Sequence, residues 1–241
     1  MGFIINPYMV AAAGTPFVNT YSVDFDGVDD YVEAAIDGTS TGDFGSGAAK
    51  EFTISMWVKL PVVTATDAIF HWADTSTSAS TMVMIFIQSS QVRYYVGGQW
   101  GNSPTATLST ATWYHVVLTR TASDDTNRIY INGVLESGNS TTSATISNES
   151  NADNVYLMDG YYGNIAGNVD EFSMFTTALS QADITSIYNS GVPTDLTSLS
   201  PYAWWRMGDG DVFPTITDHG SGGNNGTMTN MVAGDIVADV P

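Results

Sequence analysis

An all-β fold, two antiparallel sheets packed as a jelly-roll sandwich with one short helix, is predicted by three observations. Apolar and polar residues alternate with a period of two in one segment after another. Clusters of Gly, Ser, Thr and Asn separate those segments, and only one stretch carries the punctuation of a helix. The 241 residues suit one large sandwich, a class that reaches this length as a single domain.

In FTISMWVKL, Phe52, Ile54, Met56, Val58 and Leu60 fall on one face and Thr53, Ser55, Trp57 and Lys59 on the other, as a half-buried strand requires. Met82 to Ile87 is apolar on both faces and suits a central strand covered on each side. Gln91 to Val96, Trp113 to Arg120 and Arg128 to Leu135 continue the pattern. Inside the last of these, Asn132-Gly133 favours the positive φ values of a type I′ hairpin turn. The helix is predicted from Gln181 to Asn189, packed through Ile184, Ile187 and Tyr188. Ser180 with Asp183 forms a capping-box pattern, Leu179 with Ile184 a hydrophobic staple, and Gly191 is placed to stop it. Asp37 to Ala49, Ala73 to Ser80, Gly97 to Thr110 and Glu136 to Ala152 read as loops.

Charge excludes one partner class. Twenty-five acids against six Lys and Arg leave a net charge of -19, so the basic footprint that nucleic acid needs is missing. Such self-repulsion is tolerable where salt or divalent cations screen it, and the acids also serve solubility alone. Without cysteine, neither a disulfide nor a thiolate metal site can form. The longest apolar run, Met82 to Ile87, is far shorter than the roughly 18 residues of a membrane span, so membrane insertion is not expected. Met1 to Thr20 carries no Lys or Arg, and Asn6-Pro7 interrupts its apolar character. It reads as an arm that docks on a neighbouring subunit rather than as a signal peptide.

Four segments, SVDFDGVDDYVE, FTISMWVKL, the pair WYHVVLTRT and RIYINGVLESG, and GNVDEFSMFTTALSQADITSIYNSG, resemble successive elements of laminin-G-like and pentraxin-like sandwiches in the concanavalin A-like lectin and glucanase fold. The resemblance runs from Tyr21 to Gly191 and implies a binding or adhesion module whose function lies in loops and a calcium site. Ala203 to Met231, with AWWRMGDGD and SGGNNGT, resembles the strand and turn that usually precede the first acidic segment. Here it comes last, so residues 203–231 are read as a permuted segment completing one domain over 21–241, with Ala203 to Met207 near the Tyr21 strand. The chain layout is also similar to structural proteins of marine tailed bacteriophages. That likeness implies a homo-oligomeric virion-surface component, a capsid decoration, head fibre or tail-associated adhesin, with other virion proteins and glycans as partners. The alternative is an extracellular carbohydrate-binding module or glycoside hydrolase.

Calcium wants about six to eight oxygen ligands, and Asp24, Asp26, Asp29 and Asp30 crowd one strand and turn. The resemblance sets such acids near Asp170 and Glu171, and two acidic clusters folded together would repel unless a cation lay between them. The competing reading makes Asp26-Gly27 a plain turn with solvated acids. Asp209 and Asp211 in GDGD are turn residues first. For glycans, exposed aromatic faces are needed: Trp100, Trp72 beside Asp74, and Tyr161-Tyr162 are the candidates. Trp100 could equally fold back over the sandwich or meet a neighbouring subunit. At least half of Trp57, Trp113, Trp204 and Trp205 belong in the core. Catalysis is not expected. Asp170 and Glu171 are adjacent, and adjacent strand residues point to opposite faces, so they cannot flank one bond as the two carboxyls of a glycosidase must. His71, His115 and His219 are isolated from one another, and SGGNNGT lacks the lysine of a phosphate loop.

Overall fold

Period-two alternation here resolves into sixteen strands, beside one α-helix and three single-turn 3-10 helices, among the described residues. The computed structural model describes residues 16–36, 51–64, 66–73, 83–96, 99–101, 106–124, 126–136, 154–159 and 163–241. In chain order the elements are β1 (Ser22–Asp26), β2 (Tyr31–Ala35), β3 (Phe52–Lys59), β4 (Asp67–Ala73), β5 (Val83–Gln88), β6 (Gln91–Val96), β7 (Gln99–Trp100) and β8 (Trp113–Thr121). There follow β9 (Thr126–Ile131), β10 (Val134–Leu135), β11 (Asn154–Leu157), β12 (Ala166–Phe175), α1 (Gln181–Tyr188), β13 (Ala203–Trp205), β14 (Thr215–Ile216), β15 (Gly226–Thr229) and β16 (Ile236–Val237).

Sheet 1 runs β10-β9-β8-β3-β12-β1-β16, with β13 also on β12; sheet 2 runs β14-β15-β2-β11-β4-β5-β6-β7. Their inner faces enclose one core that holds Phe25, Met56, Phe70, Trp72, Tyr94, Phe172 and Trp205. The result is the two-sheet antiparallel sandwich. β1 and β13 lie end to end along one edge of β12, pairing with Ala166–Val169 and with residues 172–174 respectively. β16 pairs with β1, and β15 with β2, so the last forty residues contribute strands to both sheets.

Phe52, Ile54, Met56, Val58 and Leu60 do point into the core, yet Thr53, Ser55 and Trp57 on the other face are buried as well. The predicted half-burial of this strand is therefore corrected. α1 covers the outer face of sheet 1, seating Ile184 on Val117 and Tyr130. Tyr188 stacks on Trp57 and His115 at centroid distances of 5.7 and 6.1 Å. The helix starts where its capping box predicts, Ser180 Oγ accepting from Asp183 N–H while the Asp183 carboxylate accepts from Ser180 N–H. Its stop differs from the prediction. Asn189 takes the left-handed conformation, φ 44, and ends the helix before Gly191, because asparagine is the other residue that tolerates that region. Asn132 and Gly133, φ 51 and 74, form the predicted primed turn between β9 and β10.

Candidate functional site

The turn between β1 and β2 gathers Asp26, Asp29 and Asp30, with one carboxylate oxygen from each lying within 4.8 Å of the others. Each acid already has local work. Asp26 Oδ1 accepts from Val28 N–H at 2.7 Å, and Asp30 Oδ2 accepts from Asp26 N–H at 3.0 Å. The carbonyls of Asp29 and Asp30 accept from Asn230 and Asn164. Asp26 and Asp29 are exposed and Asp30 is buried, with burial holding its carboxyl above the usual range. Carboxylate oxygens are donors of the kind a hard cation takes, and these three residues would supply part of the six to eight that calcium wants.

Asp24 stands apart from that trio, and the β12 acids stand further off. Asp26 pairs with Ala166, four residues before Asp170, roughly 13 Å along the strand. Sheet 1 thus separates the two acidic clusters that the sequence reading set face to face.

At Asp170 and Glu171 the alternation argument fails. The register between β12 and β3 slips between Asp170 and Ser173, and Glu171 adopts φ 44, the signature of a β-bulge. Val169 and Phe172 both face the core, so the two acids between them share the outer side. They are sealed there. Asp170 Oδ2 accepts from Asn19 Nδ2 at 2.7 Å, and Asp170 Oδ1 from Glu171 N–H at 2.8 Å. Glu171 accepts from Trp204 Nε1 at 2.6 Å and from Arg206 Nε at 3.1 Å. Burial, then the neighbouring Glu171 carboxylate, pushes Asp170 up to about 8. Burial raises Glu171 to about 7 against the opposing pull of Arg206 and the Trp204 N–H.

The lid over this pair is the end of the N-terminal arm. Phe17 stacks on Trp204 at 6.2 Å with the Arg206 guanidinium 4.4 Å from its ring, Arg206 Nη2 donates to the Val18 carbonyl, and Asp209 accepts from Thr20 N–H. The described part of the arm docks on its own chain; Met1 to Thr15 lie outside the described residues. No local signal in the sequence pairs Asn19 with Asp170 across 151 positions.

The outer face of sheet 2 has a different character. Trp100, on the edge strand β7 opposite Tyr95, is 52% exposed. Its ring meets Phe86 and Tyr95 edge-on at 5.5 and 4.8 Å, contacts worth about 0.5–1.5 kcal/mol each that hold it in place. Beside it opens a cleft of about 210 Å³ lined by Phe86, Gln88, Arg93, Trp100 and Gly101. Arg93 Nε is buried without a hydrogen-bond partner among the described residues. Sequence reasoning missed Arg93 and Gln88, although alternation in QVRYYV places Arg93 on the same face as Tyr95.

Trp72, predicted as a ligand platform, is corrected: it lies in β4, 1% exposed, packed in the core. Asp74, Tyr161 and Tyr162 lie outside the described residues. Trp57, Trp204 and Trp205 are buried. His115, sealed beneath α1 and pushed down to about 3 by burial, meets Ser55 Oγ at 2.8 Å, and His71 is lowered to about 4. No helix among the described residues is long and apolar enough to cross a membrane.

The model of the concanavalin A-like lectin/glucanases superfamily, laminin-G type, matches residues 26–185, about two thirds of the chain. The chain belongs to this superfamily. None of the curated protein sequences compared with it matches. Among solved structures it resembles a protein from Bacteroides ovatus provisionally assigned as carbohydrate binding, with a TM-score of 0.67, 16% identity, and coverage of 92% of this chain and 60% of that one. The chain thus spans less than two thirds of that relative. It also resembles the heptameric SAP-like pentraxin of Limulus polyphemus, with a TM-score of 0.53, 14% identity, and coverage of 70% and 82%. A sialidase of Trypanosoma rangeli gives a TM-score of 0.53 at 17% identity, covering 73% of this chain and 28% of the enzyme. At these identities the likeness is one of fold.

Proposed function

We propose that the domain is a non-catalytic carbohydrate-binding surface module whose platform is Trp100, flanked by Arg93 and Gln88. One observation carries this reading: a half-exposed indole, braced edge-on by two aromatic rings, stands beside an open cleft whose polar side chains can meet sugar hydroxyls. The carbohydrate-binding assignment of the Bacteroides ovatus relative agrees with it. On a glycan array in calcium buffer the protein is expected to retain a distinct set of glycans, and Trp100→Ala to lose them while staying folded, its melting temperature lower by only a few degrees from the lost ring contacts. Equal retention by the variant would sink the platform.

The non-catalytic part of the reading rests on burial. Asp170 and Glu171 share a face, but they are spent on Asn19, Trp204 and Arg206 beneath the arm, leaving no room for a glycosidic bond between them. Hydrolysis of laminarin or agarose by the purified chain, abolished by a carboxylate substitution, would overturn it. Calcium at Asp26, Asp29 and Asp30 would fix the β1–β2 turn by neutralising three carboxylates. In this reading the module is displayed in many copies on a virion surface, a setting drawn from the chain layout. Avidity then compensates for weak single contacts.

A further inference from the structure

Four side chains cross the outer face of sheet 1 in one line. Asp24 on β1 is paired with Asn168 on β12, Asn168 with Lys59 on β3, and Lys59 with Trp113 on β8. All four point away from the core, because their chain neighbours Val23, Phe25, Val58, Leu60, Val169 and Tyr114 point into it or pack against it. Over the first three lies a cleft of about 300 Å³, walled by Pro61 and Ala111. Gly167, φ 143, lets β12 approach β3 so closely that a Cβ there would stand 2.5 Å from the Lys59 carbonyl oxygen. That contact fixes the backbone beneath the row.

The row has unspent hydrogen-bonding capacity. Asn168 is only 7% exposed, yet its side-chain amide has no partner among the described residues, and neither has the Asp24 carboxylate. Asp24 is exposed and both side chains line the cleft, so their polar atoms are open to a ligand's hydroxyl groups. Lys59, by contrast, is already committed. Its ammonium pairs with Asp239 and lies 5.5 Å from the Trp113 ring centroid, while Trp113 Nε1 donates to the same carboxylate at 3.3 Å. The C-terminal tail therefore makes a fixed rim and leaves Asp24 and Asn168 as the open groups.

We propose that this row is a second binding site, distinct from the Trp100 platform, which takes adjacent hydroxyls of one neutral pyranose ring. The chemistry selects that class. An amide supplies two donors and an acceptor and a carboxylate supplies acceptors, so neighbouring Asn and Asp side chains, about 5 Å apart across the strands, can clasp two vicinal hydroxyl groups. Asp24, Asp235 and Asp239 around a single Lys59 repel carboxylated sugars. The cleft is at the small end for ligand sites, enough for one ring rather than a chain.

The test is a titration of the ¹⁵N-labelled full chain with methyl α-mannopyranoside, methyl β-glucopyranoside and methyl β-galactopyranoside, with glucuronate as the charged counterpart. At least one neutral pyranoside should move the Asn168 side-chain amide and the Gly167 backbone amide along a saturating curve, and glucuronate should not. Asn168→Ala and Asp24→Asn should each weaken binding roughly tenfold, the loss of one or two hydrogen bonds. Asp24 is exposed, so its variant reads the site without risk to the fold. Trp100→Ala should leave the titration unchanged, which separates this site from the platform on the other sheet. Signals that stay put at tens of millimolar pyranoside, or binding that survives both row variants or disappears with Trp100→Ala, would overturn the proposal.

Discussion

The carboxylates of the β1–β2 turn and those of β12 are the same functional group on neighbouring strands, yet they live under different physics. Asp26 and Asp29 face solvent, and the Asp26 carboxylate stabilises the turn by accepting from the backbone N–H groups of Val28 and Asp29. Asp170 and Glu171 are buried, and their partners come from both ends of the chain. Exposed acids answer to salt and cations; buried acids answer to protons and to a specific guanidinium. Proximity in a sheet therefore says little about what a carboxylate does, whereas the element lying over it says a great deal.

Removing the guanidinium should expose this contrast most strongly. Arg206→Met is expected to cost about 3 kcal/mol in urea unfolding above pH 8, where Glu171 would be left charged and buried. The loss should shrink below pH 7, where a protonated Glu171 no longer needs a counter-charge. Equal losses at both pH values would mean that packing on Phe17 and Trp204, rather than charge, is what matters.

Next comes the proton itself. Asp170 is raised from 3.8 to about 8, so the folded chain holds a proton that the unfolded chain has released. Its stabilisation is complete below the unfolded value and disappears as pH rises through the folded one. From pH 6.5 to 8 both buried histidines, lowered to about 4 and 3, are neutral in the folded chain while the unfolded imidazoles lose only their last half-charge, a smaller opposing change, so Asp170, joined by Glu171, should make stability fall with rising pH by about 1–2 kcal/mol. Below pH 6.5 the opposite trend joins in, because unfolded imidazoles protonate while His71 and His115 stay neutral. Asp170→Asn should remove the larger part of the fall above 6.5, with Glu171 accounting for the rest. An unchanged slope in that variant would relocate the buried proton.

The solvated cluster should respond less. Millimolar calcium is expected to add about 1 kcal/mol to the chelated protein, as a site of submillimolar affinity would, and Asp30→Asn should remove the gain. Calorimetry showing neither heat nor a shift in melting temperature would end the calcium reading. Smallest of all, Asp29→Asn in chelator should change stability by less than about 0.5 kcal/mol, as substitution of an exposed side chain without buried partners does.

Much of this was legible in local pattern. Alternation located β3, β6 and β8, a run apolar on both faces located β5, Asn132-Gly133 marked its hairpin, and the Ser180 capping box opened α1, since each signal acts within a few residues. Trp100 was identifiable because QW sits amid Gly and Ser, but the same reasoning misplaced Trp72, whose burial depends on the opposite sheet. The bulge at Glu171 was invisible to a rule that assumes unbroken pleating.

By itself the sequence determined the two-layer all-β architecture, because side-chain periodicity and turn chemistry are properties of adjacent residues. Only the tertiary structure decided which acids are solvated and which sealed, which tryptophan stays at the surface, and which polar side chains line up across four strands. Those outcomes depend on register and on coverage by distant segments, and neither is encoded by neighbours along the chain.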